Sequence, residues 1–137
     1  QALYGYSITA LELVCTGLEN TVGVYRDYNK AEQDQARRVM RELGVGHLAD
    51  HSIRLLSTGQ LRRLFLARAL MGEPDILLLD EPCSALDEDS RRQYLDLLDQ
   101  LAARGISLVF VSHFEGDAPS CINRRARMHQ GRLEILA

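Results

Sequence analysis

Four consecutive aliphatic side chains, Ile76-Leu77-Leu78-Leu79, stand between Pro74-Asp75 and Asp80-Glu81-Pro82 and constrain this chain more than any other stretch. A run so short and so uniformly apolar does not suit a surface helix; it predicts a central strand of a parallel sheet, covered on both faces. Parallel strands need crossover helices, so the class is α/β. In open sheets of that class, ligands bind beyond the carboxyl ends of the strands. Asp80 and Glu81 arrive there side by side.

The flanking sequence fits the same plan. Upstream, Ser57-Thr58-Gly59-Gln60 opens a predicted helix over residues 60–71, with Leu61, Leu64, Phe65 and Leu70 at helical spacing. Its first turn offers free N–H groups and the hydroxyls of Ser57 and Thr58 beside the positive end of the helix dipole, where an anion would bind. A Ser-Thr-Gly stretch also serves simply as a helix cap. Gly72 and Pro74 stand where a helix C-terminus is expected. Downstream, Ser84-Ala85-Leu86-Asp87 leads to a predicted helix over 88–104, with Asp87 as N-cap and Leu95, Leu98, Leu101 and Ala102 as its core face. Residues 106–112 (ISLVFVS) predict a second buried strand with His113 at its carboxyl end. Cys83 has no histidine near it in sequence and reads as a packed residue.

In order and spacing, Leu56-Ser57-Thr58-Gly59-Gln60, the strand ending in Asp80-Glu81, Ser84-Ala85-Leu86-Asp87 and His113 resemble the second half of an ATP-binding cassette (ABC) ATPase. They match that family's signature loop, Walker B strand, D-loop and switch histidine. The resemblance implies a P-loop NTPase-type parallel sheet, in part, with a helical subdomain over about residues 1–58 and a catalytic-core portion over about 59–137. It implies ATP and Mg²⁺ as cofactors. Asp80 would hold Mg²⁺ through a water, Glu81 would be the general base toward the attacking water, and His113 would hydrogen-bond the γ-phosphate. A plainer role for the two acids is to cap the next helix. Ser57, Gly59 and Gln60 would contact nucleotide held by a second cassette in a head-to-tail dimer, and Asp87 would reach across that dimer. Thr58 departs from the family's commoner glycine and keeps its backbone out of positive φ.

A Walker A loop, G-x-x-x-x-G-K-[ST], is not present: the only lysine is Lys30, with no glycine loop before it. The resemblance therefore implies a chain lacking the N-terminal Walker A portion, expected by itself to bind and hydrolyse no appreciable ATP.

Length and composition agree with one soluble domain: 137 residues, 46% hydrophobic and 26% charged, with no apolar run near the ~18 residues of a membrane span. A net charge of −3 gives no electrostatic reason to expect direct contact with nucleic acid or an anionic membrane. Three cysteines, Cys15, Cys83 and Cys121, lack metal-site spacing and suit a reducing cytosol. Residues 8–18 predict a short helix and 19–29 a loop; residues 29–43 predict a helix capped by Asn29 with Glu32 and stopped by Gly44. The tail predicts a hairpin turning at Gln130-Gly131.

By resemblance, residues 1–28 form the surface that meets a transmembrane permease, with Gln1 either the Q-loop glutamine or a frayed terminus, and the protein sits in the cytoplasm on the inner face of the cell membrane. The leading expectation is the ATPase subunit of a transporter. Residues 113–122, with Thr16-Gly17 and residues 21–25, are similar to tandem-cassette proteins of the molybdenum-transport and photorepair type. A soluble tandem-cassette ATPase in regulation or DNA repair, and a non-hydrolytic binding module, are the alternatives.

Overall fold

The structure, a computed structural model, describes residues 7–21 and 26–136. Gln1, the remaining residues up to 6 and residues 22–25 lie outside the described residues, and so does much of the expected permease surface and of the 21–25 pattern.

Three helices begin with the same device. Helix α1 (Ala10–Cys15) starts after Thr9, whose hydroxyl accepts the Glu12 N–H while the Glu12 carboxylate accepts the Thr9 N–H. This reciprocal cap holds Ile8 and Thr9 out of the helix, which continues as a 3₁₀ turn over Thr16–Leu18. Helix α2 (Lys30–Glu42) carries the expected Asn29–Glu32 pair, and the chain turns at Gly44. Helix α3 (Thr58–Leu70) starts at Ser57, paired in the same way with Gln60. Its exit differs from expectation. Gly72 is not left-handed; Glu73 is, at φ 49°, because its N–H closes a turn on the Leu70 carbonyl and delays the reversal by one residue.

Strand β1 (Ile76–Asp80) pairs in parallel with β2 (Ser107–Val111), Ile76 opposite Ser107 and Asp80 opposite Val111. Helix α4 (Glu88–Ala103), capped by Asp87, makes the crossover between them. One core joins the helices and one face of this sheet: Val14, Met40, Leu64, Leu98 and Leu101 are fully enclosed, with Leu77 buried and Leu79, Leu108 and Phe110 against them.

The expectation of burial on both sheet faces is corrected by the structure. Ile76, Leu78, Val109 and Val111 face outward, Leu78 with 74% of its surface exposed. The core packs on the other face, through Leu77, Leu79, Leu108 and Phe110, and an unbroken apolar run does not reveal which face is covered. On α3 the buried side comprises Gly59, Leu64, Leu66 and Ala67, so Phe65 points outward. On α4, Tyr94 joins Leu98 and Leu101 in the core, and Leu95 lies at its margin.

The C-terminal strands β3 (Arg125–His129) and β4 (Arg132–Leu136) form the expected antiparallel hairpin. Gln130 and Gly131, at φ 48° and 75°, make the two-residue turn that matches strand twist.

Candidate functional site

The carboxyl ends of β1 and β2 bring Asp80, Glu81 and His113 together. Pairing runs one residue past β1, where the Glu81 N–H donates to the Val111 carbonyl at 2.9 Å. Glu81 is left-handed, at φ 47°, a conformation that costs a non-glycine residue about 1–3 kcal/mol and recurs at functional sites. His113 Nε2 lies 3.2 Å from Glu81 Oε1, at ion-pair distance but without hydrogen-bond alignment. Glu81 Oε1 is thus a buried oxygen lacking a hydrogen-bond donor, a costly arrangement unless a further group serves it. His113 itself is 87% exposed, and Asp80 is exposed at the strand end.

A second group of predicted site residues forms around the start of α3. The Ser57 hydroxyl accepts the Gln60 N–H at 3.2 Å, and the Gln60 side-chain oxygen accepts the Ser57 N–H at 2.9 Å. Thr58 is the first helical residue, outside the left-handed region as its branched side chain requires. Gly59 is buried against α4, where a β-carbon would stand 2.8 Å from Ser90 Oγ and 3.1 Å from Ser90 Cβ. Only glycine lets the two helix starts approach so closely.

Between the groups runs the Ser84–Asp87 loop. It is fastened by Ser84 N–H to the Glu81 carbonyl, by Leu86 N–H to the Cys83 carbonyl and by Arg62 to the Ser84 carbonyl, and Ala85 is left-handed at φ 62°. Asp87 Oδ1 accepts the Ser90 N–H at 2.7 Å; the bonds from Ser90 hold its carboxyl below the usual range. The capping role is therefore real, and it leaves the loop before Asp87 at the surface.

Among the described residues no hydrogen bond or ion pair joins Ser57–Gln60 to Asp80, Glu81 or His113. Cys83 is buried, and burial first, then Asp117, pushes its thiol pKa up, as befits a packed side chain. The sequence did not single out Arg62, Arg91 or Asp117. Their contacts span 22 residues for Arg62–Ser84 and 26 for Arg91–Asp117, separations at which no local pattern signals a pair.

The family profile described as ABC transporter matches residues 7–84, more than half of the chain. The chain belongs to the ABC transporter family. It is 36% identical to the glutamine transport ATP-binding protein GlnQ of Escherichia coli (strain K12) over 127 residues, 92% of this chain and 51% of GlnQ. It is 34% identical to the ABC transporter ATP-binding protein ModF of the same strain, over 89% of this chain and 25% of ModF. Among solved structures, cbiO1 of Clostridium perfringens, part of the ABC transporter complex CbiONQ, superposes at a TM-score of 0.77 with 26% identity, over 93% of this chain and 50% of that one. The chain spans about half the length of GlnQ and of most of the other curated relatives it matches, and a quarter of ModF. The fold is that of the P-loop NTPase class seen in ABC cassettes. No described helix is long and apolar enough to cross a membrane.

Proposed function

We propose that this chain is the C-terminal half of the ATP-binding subunit of an ABC transporter, with about residues 1–58 its helical subdomain and 59–137 its catalytic-core portion. In the complete cassette it takes part in ATP hydrolysis that drives dimer closure and transport through a membrane permease. The observation that carries this reading is the meeting of Glu81 and His113 at the ends of adjacent parallel strands, with Asp80 beside them.

The residues present suit MgATP. Mg²⁺ is commonly bound by one or two carboxylates together with substrate phosphates, and exposed Asp80 at a strand end is such a ligand. The metal, when bound, neutralises charge on the transferred phosphoryl group. Glu81 keeps a buried oxygen without a hydrogen-bond donor beside His113, suited to take a proton from water as general base. His113 is free enough of packing to reach a phosphate oxygen while staying near Glu81. Ser57, Thr58, Gly59 and Gln60 are separate from this cluster in the chain's own fold, which suits contact with nucleotide held by a second cassette, and exposed Asp87 suits a reach across the same dimer. The subunit would work on the cytoplasmic face of the membrane, with residues 1–28 toward the permease.

Glu81→Gln in the full-length protein tests this. ATP binding should persist in a closed dimer while turnover falls by about 10²–10⁴-fold, the usual worth of a general base; unchanged turnover would remove the catalytic assignment. A second reading, a soluble tandem-cassette ATPase, is favoured by the ModF likeness, in which the chain covers only a quarter of the relative's length. Purifying the full-length protein from native membranes separates the two: a stoichiometric multi-span partner supports the transporter subunit.

A further inference from the structure

His113 lacks packing of its own, so the backbone around it decides where its ring stands. Upstream it is fixed by β2, whose last residue, Val111, takes the Glu81 N–H. Downstream, Ser112 Oγ accepts the Phe114 N–H at 3.0 Å and Asp117 N–H donates to the Phe114 carbonyl at 3.1 Å, forming a compact turn that ends on the Asp117 carboxylate. That carboxylate is held by Arg91 of α4, Nη1 to Oδ1 at 2.8 Å, with the two side chains 24% and 21% exposed. The other exposed-side tie of this turn, Arg127 to Glu115, is 3.8 Å long and open to solvent.

Arg91 stands one turn after Asp87 and donates its backbone N–H to the Asp87 carbonyl at 2.9 Å. Its second guanidinium nitrogen holds Glu88 at 2.8 Å, and Gly59 packs on neighbouring Ser90. The first turn of α4 therefore touches the start of α3, the Asp87 loop and the turn after His113. Further along, Asp99 accepts the N–H groups of Ser120 and Cys121 at 3.2 and 2.8 Å, clamping the far end of the same segment. A planar guanidinium that divides its two nitrogens between Glu88 and Asp117 fixes angle as well as distance.

We propose that Arg91 is a positioning residue: through Asp117 it sets His113 over Glu81 and makes that placement depend on the Asp87 loop. This rests on the catalytic reading of Glu81 and His113. A displacement of about 1 Å at a reacting group can cost about 10²-fold in rate. Among the described residues no hydrogen bond or ion pair joins Arg91 to Ser57–Gln60, Asp80, Glu81 or His113, so its loss acts on turnover more than on substrate binding.

The test measures steady-state ATP hydrolysis by the full-length protein, with kcat, KM and Tm for each variant. Arg91→Ala and Asp117→Asn should each lower kcat by about tenfold or more, with KM within about twofold. Their double variant should be no worse than either alone, as for two ends of one contact. Arg91→Asp with Asp117→Arg should recover part of the lost kcat. Arg92→Ala, whose pair with Asp89 is 65% and 83% exposed, should stay at the wild-type rate. Wild-type kcat in Arg91→Ala, additive losses in the double variant, or losses that track Tm across the series would overturn the proposal. If wild type turns over and Glu81→Gln stops it while Arg91→Ala does not slow it, this inference alone falls. If wild type shows no turnover that Glu81→Gln removes, the functional reading falls and takes this inference with it.

Discussion

Gly59→Ala is the most informative single change, because two opposing effects of known size meet there. Alanine is the better helix former by about 0.8–1.0 kcal/mol in a helix interior, an upper bound for the second residue of α3, so propensity alone favours the substitution. Space opposes it. The added carbon would sit 2.8 Å from Ser90 Oγ and 3.1 Å from Ser90 Cβ, closer than unstrained contact allows. The hydroxyl can rotate, but Ser90 Cβ is fixed to the first turn of α4, so the helix starts must separate. Overpacking of this kind costs about 1–3 kcal/mol, which leaves a net loss of about 1 kcal/mol after the propensity gain. The assay is reversible urea unfolding of wild type, Gly59→Ala, Ser90→Gly and the double variant. Ser90→Gly removes both opposing atoms, so the cycle should show a coupling energy of about 1–2 kcal/mol, the value expected of residues in contact. A Gly59→Ala protein as stable as wild type, with coupling near zero, would refute the close approach of α3 and α4 and the need for glycine there.

Leu98→Ala should destabilise by about 2–5 kcal/mol, since Leu98 is fully enclosed in the core; a calorimetric Tm close to wild type would place the core elsewhere. Ala85→Gly should leave stability unchanged or raise it by up to about 1 kcal/mol, because relief of left-handed strain offsets the greater freedom of glycine in the unfolded chain; a clear loss of urea midpoint would count against the φ of 62°. Asp87 has a lowered pKa through its bonds from Ser90, so its cap contributes stability above the ordinary carboxylate pKa of about 4 and loses it as pH falls through the lowered folded value. The Tm gap between wild type and Asp87→Ala should therefore be wide near neutral pH and close in acid; a gap constant with pH would contradict the charged cap. Cys15 is buried with its thiol pKa pushed up to about 11, first by desolvation, so it should resist alkylation at pH about 8 in the folded protein while reacting in urea; equal rates in both would show it to be accessible.

Much of this arrangement is local and was legible as such. Asn29 and Glu32 lie three residues apart and form their bonds within one turn, so sequence spacing suffices; Ser57 and Gln60 form the same pair, which starts α3 at Thr58 and not at Gln60 as expected. The Gln130-Gly131 turn and the ends of β1 and β2 follow from similarly short patterns. The orientation of faces did not follow. Phe65 keeps helical spacing with Leu61 and Leu64, yet it points outward, since Gly59, Leu64, Leu66 and Ala67 make up the buried side of α3. The candidate site could be named from the sequence as residues but not as a geometry. No local preference would place Glu81 in the left-handed region; its bond to Val111 and its turn toward Ser84 impose it. The Arg91–Asp117 pair required the whole crossover through α4 to be in place before either partner had meaning.

The outward face of the parallel sheet has a consequence for the chain as a material. Leu78 and Val109 are register neighbours there, with Ile76 and Val111 beside them, and among the described residues neither outer strand edge is paired. Apolar side chains next to unsatisfied edge amides form a template for intermolecular strand addition. For residues 1–137 expressed alone, turbidity should rise with protein concentration well below the melting temperature. A lysine at Leu78 or Val109 should suppress it, because a charge at a strand edge works as a gatekeeper.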